Sequence, residues 1–176
     1  MRVHEFFKNP IDLNEVLTTK IPEPDWKKTN NGYEAMVNID QFQYRIELQE
    51  MEYTLNGVKY PYLNLAFQLY LNGNYVTDTT HDTKQASKVI GAIGNSLGDF
   101  IEKLKPDAIM FGSTDPVNTK ARMRIYSFIA DRFLKHYGRV KTFKMEKGEA
   151  MVVYNKNIGA KIMPLLKHIQ QKQSQK

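Results

Sequence analysis

The run Lys105-Pro106-Asp107-Ala108-Ile109-Met110-Phe111 decides the fold. Pro106 cannot continue a helix, and it pushes the residue before it out of the helical region. The apolar residues that follow are too few for a helix and enough for a short buried strand. Upstream, over about Thr83–Leu104, the apolar residues Ala86, Val89, Ile90, Ile93, Leu97, Phe100, Ile101 and Leu104 recur at helical spacing. Downstream, Gly112–Val117 reads as a turn and about Asn118–Tyr137 as a second helix, with Ala121, Ile125, Phe128, Ile129 and Phe133 on its core face. A hairpin of Arg139–Met145 and Ala150–Tyr154 then closes the unit, turning at Glu146-Lys147-Gly148-Glu149.

The first half reads as a meander. Tyr33–Ile39, Phe42–Tyr53 and Tyr60–Leu71 alternate apolar and polar residues, the pattern of strands with one buried face. Asp40-Gln41 and Asn56-Gly57 are the turns between them, and Asn72-Gly73-Asn74 ends the third. Before them, Arg2–Phe7 forms a short strand and Pro10 opens a helix that Pro22 and Pro24 stop. Trp26–Gly32 is polar and lysine-rich and reads as a loop. About Ile158–Ile169 reads as a short terminal helix interrupted at Pro164. The expected fold is a single α+β domain over residues 1–169, with one mixed, mainly antiparallel sheet and two long helices. Residues 170–176 form a polar C-terminal tail without apolar anchors.

Composition sets the bounds. The 176 residues suffice for one core, and 9 Phe and 10 Tyr help to fill it. The absence of cysteine excludes disulfides, thiol catalysis and Cys-based zinc sites. The four histidines, His4, His81, His136 and His168, lack metal-ligand spacing, so no metal is expected. The first residues have no signal-peptide character and no apolar run approaches membrane-spanning length, so the expectation is a cytoplasmic protein with no membrane contact. A net charge of +6 permits binding to nucleic acid or an acidic protein without requiring it.

On the first long helix, Ser87, Gly91, Gly94 and Gly98 form a stripe of small residues. Each interior glycine costs about 1 kcal/mol against alanine. The stripe therefore predicts a close packing partner, in preference to a ligand.

The order strand, helix, three antiparallel strands, helix, strand, helix, strand, strand resembles the GNAT-type N-acetyltransferases over about Met1–Asn155. The resemblance implies acetyl-coenzyme A as cofactor, its pyrophosphate held at a helix N-terminus by a Gln/Arg-x-x-Gly-x-Gly/Ala loop. Here Gln85 matches and Ser87 falls in the same segment, but Lys88 stands where the first glycine would be, and Gly91 and Gly94 lie a turn or more inside the helix. The family's later Asn-x-x-Ala-x-x-Leu-Tyr motif is answered by Asn118, Ala121 and Tyr126, the tyrosine one residue late and so about 100° around the helix. By that resemblance Tyr126 is the candidate acid, and Gln85, Ser87 and Asn118 are cofactor contacts. Asp99-Phe100-Ile101, Lys105–Phe111 and Arg122–Tyr126 also resemble segments of small tailed-bacteriophage proteins, which implies a phage-encoded chain and a host-cytoplasm location.

Two features carry chemistry in their own right. His81 lies in a polar loop beside Asp78, Asp82 and three threonines and is the best candidate general acid or base. Lys120, Arg122, Arg124, Arg132, Lys135, Arg139, Lys141 and Lys144 form a basic cluster with His136, and Tyr126 and Tyr137 lie among them. Such cations neutralise phosphates, and tyrosines stack on unpaired bases. The leading expectation is a non-catalytic accessory or binding protein that contacts an acidic protein or nucleic acid through the basic helix and hairpin. A divergent acetyltransferase is the alternative. A homo-oligomeric structural component, built through exposed Tyr and Phe of the first sheet, is the third.

Overall fold

The computed structural model describes residues 23–76, 86–113, 119–139, 142–144 and 148–174. The expected strand and helix within Arg2–Pro22 lie outside these residues. The described chain is α+β. Its strands are β1 (Lys27–Thr29), β2 (Gly32–Ile39), β3 (Phe42–Leu55), β4 (Val58–Leu71), β5 (Asn74–Val76), β6 (Ala108–Ser113), β7 (Tyr137–Arg139), β8 (Phe143–Lys144) and β9 (Glu149–Asn155). Helix α1 (Ala86–Leu104) precedes β6, α2 (Thr119–Phe133) follows it, and a short 3-10 turn, Lys156–Ile158, leads into α3 (Gly159–Ser174).

The strands make one sheet in the order β1-β2-β3-β4-β6-β9-β7, with β5 beside β4 and β8 beside β9. Every pairing is antiparallel except β4 with β6. The β2–β3–β4 meander holds the register its alternation requires, with Val37 opposite Tyr44, Ile46 opposite Phe67 and Leu48 opposite Leu65. The β3–β4 turn uses Asn56 and Gly57 at φ 51° and 77°, the left-handed pair that a two-residue hairpin with the right twist demands.

One face of the sheet carries α1 and α2. Val37, Ile46, Leu65, Phe111 and Val153 of the sheet share a single core with Ile93 and Leu97 of α1 and Ile125 and Ile129 of α2. Both helices therefore rest on the same sheet, and they also touch each other. A Cβ at Gly94 would overlap the ring of Phe133, and one at Gly98 would lie 3.2 Å from the Phe133 carbonyl oxygen. Gly94 and Gly98 thus let the end of α2 approach the backbone of α1.

Several sequence expectations need correction. The meander strands alternate as if one face were open, yet α3 covers part of the second face, packing Ile162, Leu165 and Leu166 on Tyr60, Ala108 and Val152. Lys27–Thr29, expected as loop, is an edge strand. It is exposed throughout and so leaves no hydrophobic pattern. Helix α2 stops at Phe133, and Tyr137 starts β7 instead of ending the helix. The last hairpin is broken, its first arm divided between β7 and β8. Helix α3 runs unbroken through an exposed Pro164 to Ser174, so residues 170–174 are helical and not a tail.

Helix α1 ends by a left-handed cap. Lys105 has φ 49° and its N–H donates to the Ile101 carbonyl at 2.8 Å. Pro106 then turns the chain into β6. Tyr137 donates its hydroxyl to the Pro106 carbonyl at 3.4 Å, fastening the start of β7 to this corner.

Candidate functional site

Strands β4 and β6 part beside Tyr126, the acid that the GNAT resemblance implies. Their parallel ladder covers Leu63–Leu65 against Ile109–Phe111 and ends there, while β6 runs on through Gly112 and Ser113 paired to β9 alone. On the helix side of this junction stands Tyr126. Its ring centroid is 5.4 Å from that of Phe111 and 5.9 Å from that of Phe67, edge-on to the latter. Tyr126 is only 4% exposed. Burial pushes its phenol pKa above the ordinary value, against a smaller lowering by Arg122, so the group holds its proton. An aromatic trio thus fills the point where the two strands separate. Next to it, Ser113 is buried and receives the Thr119 hydroxyl at 3.4 Å on Oγ and 3.5 Å on its carbonyl, an interaction that ties β6 to the start of α2.

Of the other candidate residues, His81, Gln85 and Asn118 lie outside the described residues. Ser87 belongs to the first turn of α1, and only its backbone is described.

The basic cluster does not stay together. Lys120 and Arg124 fall on one exposed stripe of α2 that also carries Asp131. Arg122 is half-buried on another side, beside Tyr126. Lys144 sits on β8 opposite Glu149. Arg139 contributes its backbone to β7, and Lys141 lies outside the described residues. Arg132 is twelve residues beyond Lys120, about 18 Å along the helix axis. The cations therefore serve opposite ends of the sheet.

At the Arg132 end they meet residues that the sequence did not single out. A cleft of about 450 Å³ lies between α1 and the end of α2, with Asn95, Asp99 and Glu102 on one wall and Arg132, Lys135 and His136 on the other. A second cleft of about 430 Å³ adjoins it, lined by Lys105, Tyr137, Asn155 and Lys156. Glu102 and His136 line both, so the two form one trough. Lys156 donates to the Lys135 carbonyl at 3.3 Å and joins its two arms. Neither Arg132, Lys135 nor Lys105 forms an ion pair among the described residues. Burial, then the charges of Glu102 and Asp107, push the Tyr137 phenol up to about 12.

In comparison with known proteins, no family model matches the chain, and neither a curated protein nor a solved structure does. Among the described residues no helix is long and apolar enough to cross a membrane, and no three His, Asp or Glu side chains gather as metal ligands.

Proposed function

We propose that this chain is a non-catalytic binding protein of GNAT-like topology, phage-encoded, whose ligand is nucleic acid. The topological part is supported by the strand order and by the lone parallel pair, β4 and β6, joined through α1. The phage origin rests on the resemblance of Asp99–Ile101, Lys105–Phe111 and Arg122–Tyr126 alone.

One observation carries the non-catalytic reading: the ring of Tyr126 is buried between Phe67 and Phe111 where a cofactor thioester would have to enter. A general acid has to reach the atom it protonates. A phenol held in a packed core serves stability instead. The ligand class rests on charge. The chain carries +6, and exposed Arg132, Lys135, Lys105 and Lys156 gather at one end. Electrostatic attraction to phosphates is largely independent of base sequence and is strongest at low salt.

Fluorescence anisotropy of labelled single-stranded DNA, duplex DNA and RNA, titrated over a series of salt concentrations, tests this reading. Binding that weakens linearly in log salt supports it. No binding at low ionic strength contradicts it, and capture of an acidic polypeptide in its place would move the ligand class to protein.

The divergent acetyltransferase retains one favourable observation, the ending of the β4–β6 ladder at Leu65–Phe111, which leaves Gly112 and Ser113 unpaired on that side. In that reading acetyl-coenzyme A would have to displace the Tyr126 ring.

A further inference from the structure

We propose that the trough shared by Glu102 and His136 holds a single nucleic-acid strand, a placement that rests on the nucleic-acid reading above. Its cations are divided between two arms. Arg132 and Lys135 line one arm, Lys105 and Lys156 the other. A lone phosphate is best held by donors focused on one point, whereas a chain of phosphates matches cations strung along a groove.

Two further features select an unpaired strand. The α1 wall carries carboxylates, Asp99 and Glu102, both exposed. Carboxylates repel a phosphate but accept hydrogen bonds from the exocyclic amino groups of bases, which an unpaired strand leaves free. His136, exposed at the junction of the two arms, supplies a flat ring on which a base can stack.

The test pits one pair of substitutions against another in the full chain. Lys135→Ala with Lys156→Ala removes one cation from each arm. Lys120→Ala with Arg124→Ala removes the same charge from the other end of α2. All four residues are exposed, and a thermal melt of each variant checks the fold. For a short single-stranded oligonucleotide, the trough pair should weaken binding about tenfold and lower the slope of log K against log salt by about 1.4, at about 0.7 for each phosphate no longer neutralised. The control pair should leave that slope unchanged. In the unsubstituted protein the same strand should shift the His136 imidazole resonances. If the control pair loses affinity while the trough pair does not, or if His136 is unmoved by saturating strand, the trough is overturned and the nucleic-acid reading stands. If the unsubstituted protein binds no nucleic acid at low salt, both fall together. Tighter binding of duplex than of single strand would overturn the strand assignment.

Discussion

Tyr126 of α2 and Phe111 of β6 stand ring against ring, 5.4 Å apart and tilted by 50°, at the last residue of the only parallel ladder in the described sheet. Phe111 is fully buried, so the contact belongs to the core and fixes α2 over the junction of β4 and β6. The packing has a measurable size. Tyr126→Ala should destabilise the protein by about 3–5 kcal/mol, the range for a buried aromatic truncated to alanine. Tyr126→Phe keeps the ring and should cost less than about 1.5 kcal/mol. Urea unfolding of the two variants checks the difference. Equal small losses would mean that the ring is not a core element.

The approach of α1 to α2 makes a prediction of opposite signs in two backgrounds. Gly94→Ala should lower stability by about 1–2 kcal/mol in the native chain, because the added methyl overlaps the Phe133 ring and outweighs the gain in helix propensity. In a Phe133→Ala background the ring is gone, and the same substitution should be stabilising by about 1 kcal/mol or less. A double-mutant cycle by urea unfolding reads the coupling. Additive effects would show that the glycine is needed for another reason.

Alkaline pH should weaken the fold within a definite window. Burial, with Asp40 adding, raises the Tyr44 phenol to about 12, and burial with Glu102 and Asp107 raises Tyr137 to about 12, each from 10.0. The folded state keeps these protons where the unfolded state releases them. Their contribution is therefore complete below pH 10 and is lost as the pH rises toward 12. The loss should be about 1 kcal/mol per phenol by about pH 11. Tyr44→Phe removes one such phenol and should make the fall in urea-derived stability over this range less steep. An unchanged slope would contradict the assignment.

The parts of this fold that were legible in the sequence are those where one face is wet and the other dry. β2, β3 and β4 announce themselves because Val37, Ile46 and Leu65 point into the core while their sequence neighbours do not. Asn56-Gly57 marks its turn because few residues tolerate that backbone. Lys27–Thr29 could not be read, since an edge strand exposed on both faces has no period. The end of α2 was overrun because Phe133, Leu134 and Tyr137 preserve apolar spacing past the last helical turn, and no proline or glycine intervenes before Gly138. The end of α3 was missed for the reverse reason: Gln and Lys are good helix formers but carry no apolar stripe.

The candidate site was half legible. Arg132 and Lys135 stood in the basic run, but the trough is completed by Glu102, Lys105 and Lys156, which the chain brings from the end of α1 and the end of β9. Residues so far apart along the chain leave no local signal of meeting. The tyrosine motif was legible as a motif, displaced by one residue. The depth of Tyr126 in the core, between strands that lie far apart in sequence, needed the fold itself.

A thermal-shift titration with acetyl-coenzyme A tests the central claim, that Tyr126 seals the place where a cofactor would enter. The predicted result is no change in melting temperature up to millimolar ligand, and the same absence of a shift for the folded Tyr126→Phe variant. Stabilisation approaching about 2.7 kcal/mol at a hundredfold excess over the dissociation constant would contradict it and establish an open cofactor crevice.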